Sequence, residues 1–183
     1  MSSHMVDKTP DHKCQDSSGL TCEFSQNLDI LRQIDLFSAL PIESLKVFAL
    51  MSSREKYKAG DVLFQQGEDD GQAFYIFAGT GELVYKGDGP EEVIRTVGAG
   101  QMVGATAILG ETPRLFSFRA VTDLECFLME REKFRTTLEQ FPAILPKIIK
   151  TLVQKIHARE KVFLTSRNPD CEACKKNLGV IFD

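Results

Sequence analysis

Between Tyr57 and Arg131 the apolar runs are short and glycine interrupts them throughout. Val62–Phe64, Phe74–Phe77, Leu83–Tyr85, Val93–Val97, Phe116–Val121 and Glu125–Met129 are separated by segments that carry Gly67, Gly79, Gly81, Gly87, Gly89, Gly98 and Gly100. Glycine reaches backbone conformations other residues avoid, so glycine between short β-prone runs marks chain reversals. Many short strands at near-regular spacing predict an antiparallel barrel or jelly roll. Lys86–Pro90 is expected to be one of its hairpin connections.

The flanks read differently. Leu31, Ile34, Leu36, Phe37, Leu40, Leu45, Phe48 and Met51 recur near helical spacing, with a break at Pro41. Pro41 followed by Glu43 suits a helix start, where proline loses no hydrogen bond and an acid meets the positive end of the dipole. After Arg131, Phe134, Leu138 and Phe141 predict one short helix. Ile144, Leu145, Ile148, Ile149, Leu152, Val153 and Ile156 then form a wide apolar stripe opposite Lys147, Lys150, Lys155 and Arg159. Pro146 belongs in the first turn of that helix, since an interior proline costs about 3 kcal/mol. The predicted fold class is α+β, mainly β. It is an antiparallel β-barrel or jelly roll (double-stranded β-helix) flanked by N-terminal helices and a long C-terminal helix.

Residues 1–27 read as a flexible arm, in which Met1–Met5 resembles a cloning remnant and Met5 the expected native start. Residues 28–164 form the expected domain, and 165–183 a tail. About 19 residues follow the long helix, too few for a helix-turn-helix module, since folded units need ~40 residues or more. The expectation is therefore a sensor without a DNA reader, or one excised from a longer protein.

Composition narrows the function classes. The chain has 183 residues, 43% of them apolar, as in an ordinary globular protein. It carries no apolar stretch long enough for a membrane span and no secretory signal. A net charge of −4 argues against a phosphate-backbone binder. The expected partners therefore include neither nucleic acid nor membrane, and the expected location is cytoplasmic.

The five cysteines are Cys14, Cys22, Cys126, Cys171 and Cys174. An odd count without a secretory signal fits a reducing compartment. Cys126 falls in an apolar strand and reads as core. Cys171 and Cys174 form a C-x-x-C, and Cys14 and Cys22 supply two further thiolates if the tails meet, which keeps a metal or redox site open as an alternative. His12 and His157 are isolated. No nucleophile–base constellation and no glycine loop followed by Lys-Ser/Thr is present, so the chain reads as non-catalytic.

Val103–Ala120 carries the chemistry. Gly104 opens a short apolar run, Pro113–Arg114 follows, and then a strand. A helix start offers unpaired N–H groups and the positive end of a dipole, and a guanidinium adds parallel donors of fixed geometry; together they suit a phosphate. The segment resembles the phosphate-binding cassette of cyclic nucleotide-binding domains, F-G-E-L-A-L, a spacer, then P-R-A-A-T-V-x-A. Gly104, Ala107, Pro113, Arg114 and Ala120 stand in register without a gap, and Phe118 replaces a valine. Tyr57–Phe64, Gly67–Glu68, Phe74–Ile76 and Gly79 are similar to the family's first barrel strands, and Leu31–Leu45 to the helical segment before them.

The resemblance implies a regulatory module that binds cAMP or cGMP and requires no cofactor. Gly104, Ala105, Thr106, Arg114 and the backbone of Leu115 would meet the cyclic phosphate, and Phe116 and Thr151 would line the base pocket. The 145–163 helix would close over the base and carry the signal.

Ala105 departs from the pattern, because the family places a glutamate there to accept the ribose 2′-hydroxyl. Losing one charge-assisted hydrogen bond forfeits about 1.5–3 kcal/mol. The Thr106 hydroxyl next door either caps the short helix, the commoner use, or reaches the sugar. Strand alternation puts residues 114, 116 and 118 on one face. Phe116 then either fills part of the pocket, the commoner fate of a buried ring, or forms a platform for a base. Leu115 points the other way. Glu111 is expected to be solvated, with pairing to Arg114 as the alternative. Two other readings stay open beside the nucleotide sensor. One is a degenerate domain kept for interaction, with a homodimer through the C-terminal helix. The other is the cysteine-based sensor.

Overall fold

The computed structural model describes residues 19–166, with side chains from Glu23 onward. Helices α1 (Gly19–Gln33) and α2 (Ile42–Met51) precede eight strands: β1 (Ser53–Tyr57), β2 (Val62–Phe64), β3 (Gln72–Ala78), β4 (Thr80–Tyr85), β5 (Glu92–Gly98), β6 (Met102–Val103), β7 (Ser117–Ala120) and β8 (Leu124–Glu130). The short helix α3 (Ala105–Leu109) lies between β6 and β7. After β8 come α4 (Arg131–Gln140), a 3₁₀ turn (Pro142–Ile144) and α5 (Leu145–Ser166).

The strands form two four-stranded antiparallel sheets, ordered β1-β8-β3-β6 and β2-β7-β4-β5. The jelly-roll form is thus two packed sheets; a closed barrel is not formed. The Lys86–Pro90 segment joins β4 to β5, and Tyr85 faces Glu92 across the hairpin.

Two apolar clusters share the sheet β1-β8-β3-β6. Phe74, Ile76, Leu124, Cys126 and Leu128 turn toward the other sheet and meet Phe64, Leu83, Val97, Phe118 and Ala120. Ala73, Tyr75, Phe127 and Met129 point to the opposite face, where Leu31, Phe37, Phe48, Phe134, Ile144 and Ile148 cover them. Central strands β3 and β8 are therefore buried on both faces, which is why they read as nearly continuous apolar runs. The rings of Phe37, Phe48 and Phe134 pack against one another with centroids 5.1–6.2 Å apart, joining α2 and α4 to the turn after α1.

Three elements escape the sequence pattern. Strand β1, Ser-Arg-Glu-Lys-Tyr, is highly charged because it is an edge, paired only with β8; its Lys56 is exposed and pairs with Glu125, and its Arg54 lies over the Phe77 ring. Strand β6 has two residues and exists through its pairing with β3. Helix α1 begins at Gly19, well before the helical spacing becomes legible at Leu28. It is held by Phe24, Leu28 and Leu31 against the core and by buried Asn27, which donates to Ala49 O and accepts from Arg54 Nε.

Only the first turns of α5 join the core, through Ile148 and half-buried Leu152. Lys147 Nζ donates to Ala39 O, and Lys155 pairs with Asp35. Beyond these contacts much of the predicted stripe is exposed: Ile149 by 50%, Val153 by 58% and Ile156 by 47%.

Candidate functional site

Helix α3 starts at Gly104, whose backbone is left-handed at φ 81°. A Cβ on this residue would stand 2.4 Å from Arg114 Nη1 and 2.8 Å from Gln72 O. Glycine is required here twice over, by conformation and by space. Arg114 itself is 7% exposed, a rare state for arginine.

Arg114 is fixed at both ends. Its amide donates to Glu68 O and its carbonyl accepts from Gly67 N, both at 2.8 Å, which zips the Pro113–Arg114 turn to the loop after β2. Its Nη2 pairs with Asp70 Oδ1 and donates to Gln72 O at 2.5 Å. The guanidinium carbon sits 3.8 Å from the centre of the Phe64 ring, a cation–π stack. Arg114 Nε and Asp70 Oδ2 are buried and have no partner among the described residues. An orphaned buried donor is costly, about 1–3 kcal/mol, and this nitrogen is enclosed by protein atoms.

The neighbouring acid serves a second arginine. Asp69 pairs with Arg131, whose Nε donates to Ala107 O at 2.6 Å and whose amide donates to Gly71 O at 2.7 Å. The Asp69–Gly71 turn thus ties the arginine of the cassette to the start of α4 and to α3. The bond from Arg131 and its positive charge hold the Asp69 carboxyl below its ordinary value of 3.8.

Gly104, Ala105, Thr106, Arg114, Leu115 and Phe116 line one cavity of about 290 Å³. Strand β7 begins at Ser117, so residues 114–116 belong to the turn before it rather than to a strand; Leu115 is 77% exposed there, while Arg114 and Phe118 are buried. Phe116 is half-buried, its ring centroid 6.2 Å from that of Phe64, and it narrows the cavity without closing it. Helix α3 has no side-chain cap bond, so the Thr106 hydroxyl does not cap it; Thr106 is exposed at the cavity rim. Glu111 is exposed, and the carboxylate on Arg114 is that of Asp70.

Thr151 is not in this cavity. It lines a second one, of about 400 Å³, between α5 and the turn at residues 33–36, and its hydroxyl donates to Lys147 O at 3.1 Å within its own helix. The two cavities share Met102 and Ala105 as walls. Asp70, Gln72 and Phe64 are the members of the site that sequence reasoning missed. The run Gly67-Glu-Asp-Asp70 was the available signal, but nothing in it tells which acid meets an arginine 44 positions away.

Cys126 is buried in the core as expected, and burial first, then the Glu55 carboxylate, pushes its thiol up to about 12. Cys14, Cys171 and Cys174 lie outside the described residues, as does the side chain of Cys22. Among the described residues no group of three His, Cys, Asp or Glu side chains could hold a metal, and no helix is long and apolar enough to cross a membrane.

The sequence profile of the cyclic nucleotide-binding domain matches residues 54–141. A solved structure from Brucella abortus bv. 1 str. 9-941, described as a cyclic nucleotide-binding-like protein, is 32% identical; the match covers 62% of this chain and 98% of that one, with a TM-score of 0.57. This chain belongs to the cyclic nucleotide-binding domain family. A cAMP-dependent protein kinase regulatory subunit from Colletotrichum orbiculare is 29% identical over 133 residues, 70% of this chain and 33% of the relative. The regulatory domain of Toxoplasma gondii PKA, solved with cAMP, is 25% identical with a TM-score of 0.60, covering 83% of this chain and 53% of that one. This cyclic nucleotide-binding domain therefore spans about a third of the length of the curated relative it matches. The residues matched, 54–141, are those of a binding domain by family.

Proposed function

We propose that this domain senses a cyclic mononucleotide, cAMP or cGMP, and that the cyclic phosphate docks against Arg114 and the backbone of Gly104, Ala105, Thr106 and Leu115. The observation that carries the reading is the state of Arg114. It is buried, oriented by Asp70 and Gln72 O, stacked on Phe64, and borders the cavity that Gly104, Ala105 and Thr106 also line. A preoriented guanidinium loses little freedom on binding, which favours an anion there. The Toxoplasma relative bound to cAMP supports the choice of ligand.

Ala105 supplies no carboxylate for the ribose, so affinity is set lower than in members that carry one, by roughly tenfold to over a hundredfold. Phe116 borders the base. Thr151 reaches the ligand only after α5 moves, since it now faces the second cavity. That movement is the proposed output: α5 is anchored only at its first turns and is free to shift as a two-state element. The domain spans residues 28–164, needs no cofactor, and acts in the cytoplasm without contacting nucleic acid.

Calorimetric or NMR titration with cAMP and cGMP tests the reading. Saturable binding is expected, and it is lost in Arg114→Ala. No shift at millimolar nucleotide, or an Arg114→Ala variant that binds like the parent, ends it.

The exposed apolar face of α5 supports a second reading, pairing with a copy of this chain. Leu145, Ile149, Val153 and Ile156, 44–58% exposed, recur at spacings of four, four and three along one face. Light scattering that shows a dimer abolished by Ile149→Glu supports it; a monomer at high micromolar concentration rejects it.

A further inference from the structure

Beyond Arg114, the polar side chains that line its cavity offer a nucleobase many hydrogen-bond donors and few acceptors. Arg95 comes from edge strand β5 and stands opposite Leu83 of β4, whose buried side chain also lines the cavity. Arg159 comes from α5. Both are exposed, and neither has an ion pair or side-chain hydrogen bond among the described residues, so their N–H groups are uncommitted. No carboxylate lines the cavity. Gln101 does, but its Oε1 accepts from Gly98 N at 2.9 Å, which leaves the amide its donors. The hydroxyls of Thr106 and Thr112 donate or accept equally and discriminate nothing. An inward arginine on an edge strand also deters strand pairing, but that role asks for no second guanidinium from α5.

The two purines differ in what they ask of such a lining. Guanine presents two acceptors side by side, O6 and N7, whereas adenine presents N7 beside the N6 amino donor. A guanidinium has donors and no acceptor. Its fork fits O6 and N7 of guanine with two parallel bonds and meets the adenine amino group donor against donor. Reading adenine asks for a side chain with a free acceptor, and that of Gln101 is taken. Resting on the cyclic-nucleotide reading above, we propose that the site selects guanine over adenine: the ligand is cGMP, with its phosphate on Arg114 and the O6/N7 edge of its base read by Arg95, while Arg159 adds further donors from α5. The ribose does not enter the choice, since both cyclic esters share it. The Phe116 ring offers the same apolar contact to either purine and leaves the choice to the donors.

The test is equilibrium titration of the full chain with cGMP, cIMP and cAMP. Inosine keeps O6 and N7 but lacks the 2-amino group of guanine. The cyclic esters of guanosine and inosine are expected to bind within about threefold of each other, and both at least about tenfold more tightly than cAMP, the lower end of what one bidentate arginine discriminates. Arg95→Met keeps an apolar stem and removes the donors, and should lower the ratio of cGMP to cAMP affinity at least about fivefold. Arg95→Gln brings an acceptor and should lower it further, whereas Arg119→Gln, whose guanidinium pairs with Glu82 and Glu91, keeps it. A general loss of folded protein weakens both ligands alike and leaves the ratio unmoved. Equal affinities for cGMP and cAMP, cIMP that binds no better than cAMP, or a ratio untouched in Arg95→Met overturns the guanine proposal while leaving the cyclic-nucleotide reading in place. Binding of none of the three overturns both.

Discussion

Replacing Gly104 with alanine separates the two reasons for a glycine at the start of α3. The left-handed φ of 81° costs a residue with a Cβ about 1–2 kcal/mol. The second cost is steric. The new Cβ would lie 2.4 Å from Arg114 Nη1, where unbonded heavy atoms prefer roughly 3.5–4 Å. The guanidinium must therefore retreat by about 1 Å, away from Asp70 and Gln72 O. Breaking a buried ion pair costs up to about 3–5 kcal/mol, which bounds this part.

Gly67→Ala is the matched control. Its φ is 87°, and nothing lies within 4 Å of an added Cβ. It should lose only the conformational 1–2 kcal/mol, while Gly104→Ala should lose about 2–5 kcal/mol. Urea unfolding of both variants reads the difference, which at a slope of about 2 kcal/mol per molar displaces the midpoint of Gly104→Ala by roughly 0.5–1.5 M beyond that of Gly67→Ala. Nucleotide titration should show Gly104→Ala weakened more than Gly67→Ala, whose added Cβ meets nothing while its amide still donates to Arg114 O. Equal stabilities within about 0.5 kcal/mol would refute the claim that Arg114 is held rigidly against the helix start.

Phe118 stands opposite Leu83 on the adjacent strand, and a Cβ on nearby Gly81 would come within 2.3 Å of its ring. Gly81→Ala should therefore cost about 1–3 kcal/mol in the parent and much less in a Phe118→Val background; additive losses in a double-mutant cycle would reject this packing account. Asp69 has a folded carboxyl depressed by Arg131, so its contribution is present above the unfolded value and is lost as pH falls through the folded one, below about pH 4. In urea midpoints measured between pH 6 and 3, Asp69→Asn should start less stable and lose less on acidification, and parallel curves would count against the pairing. Cys126 should resist a thiol reagent in the folded protein at pH 8 and react once the chain is denatured; peptide mapping that finds it labelled under native conditions would contradict its burial.

Local pattern was enough for the class of fold. Glycine-punctuated short runs defined β2–β5, β7 and β8, and helical spacing defined α2, α4 and α5, because these depend on period and turn chemistry carried by neighbouring residues. The cassette was legible for the same reason: Gly104 and Pro113–Arg114 lie within a dozen positions. The order of strands in two sheets was set elsewhere, by pairings such as that of β1 with β8, some 70 residues apart. Asp70 and Phe64 became parts of the site only when β2, the loop after it and the turn before β7 met, and Thr151 was carried to another cavity by the path of α5. Conformational preference and amphipathic period are properties of consecutive residues, so the chain states them outright. Which acid neutralises an arginine, which ring lies under it and which cations share its cavity depend on contacts between distant segments, and these are fixed only when the sheets and helices bury their apolar faces together.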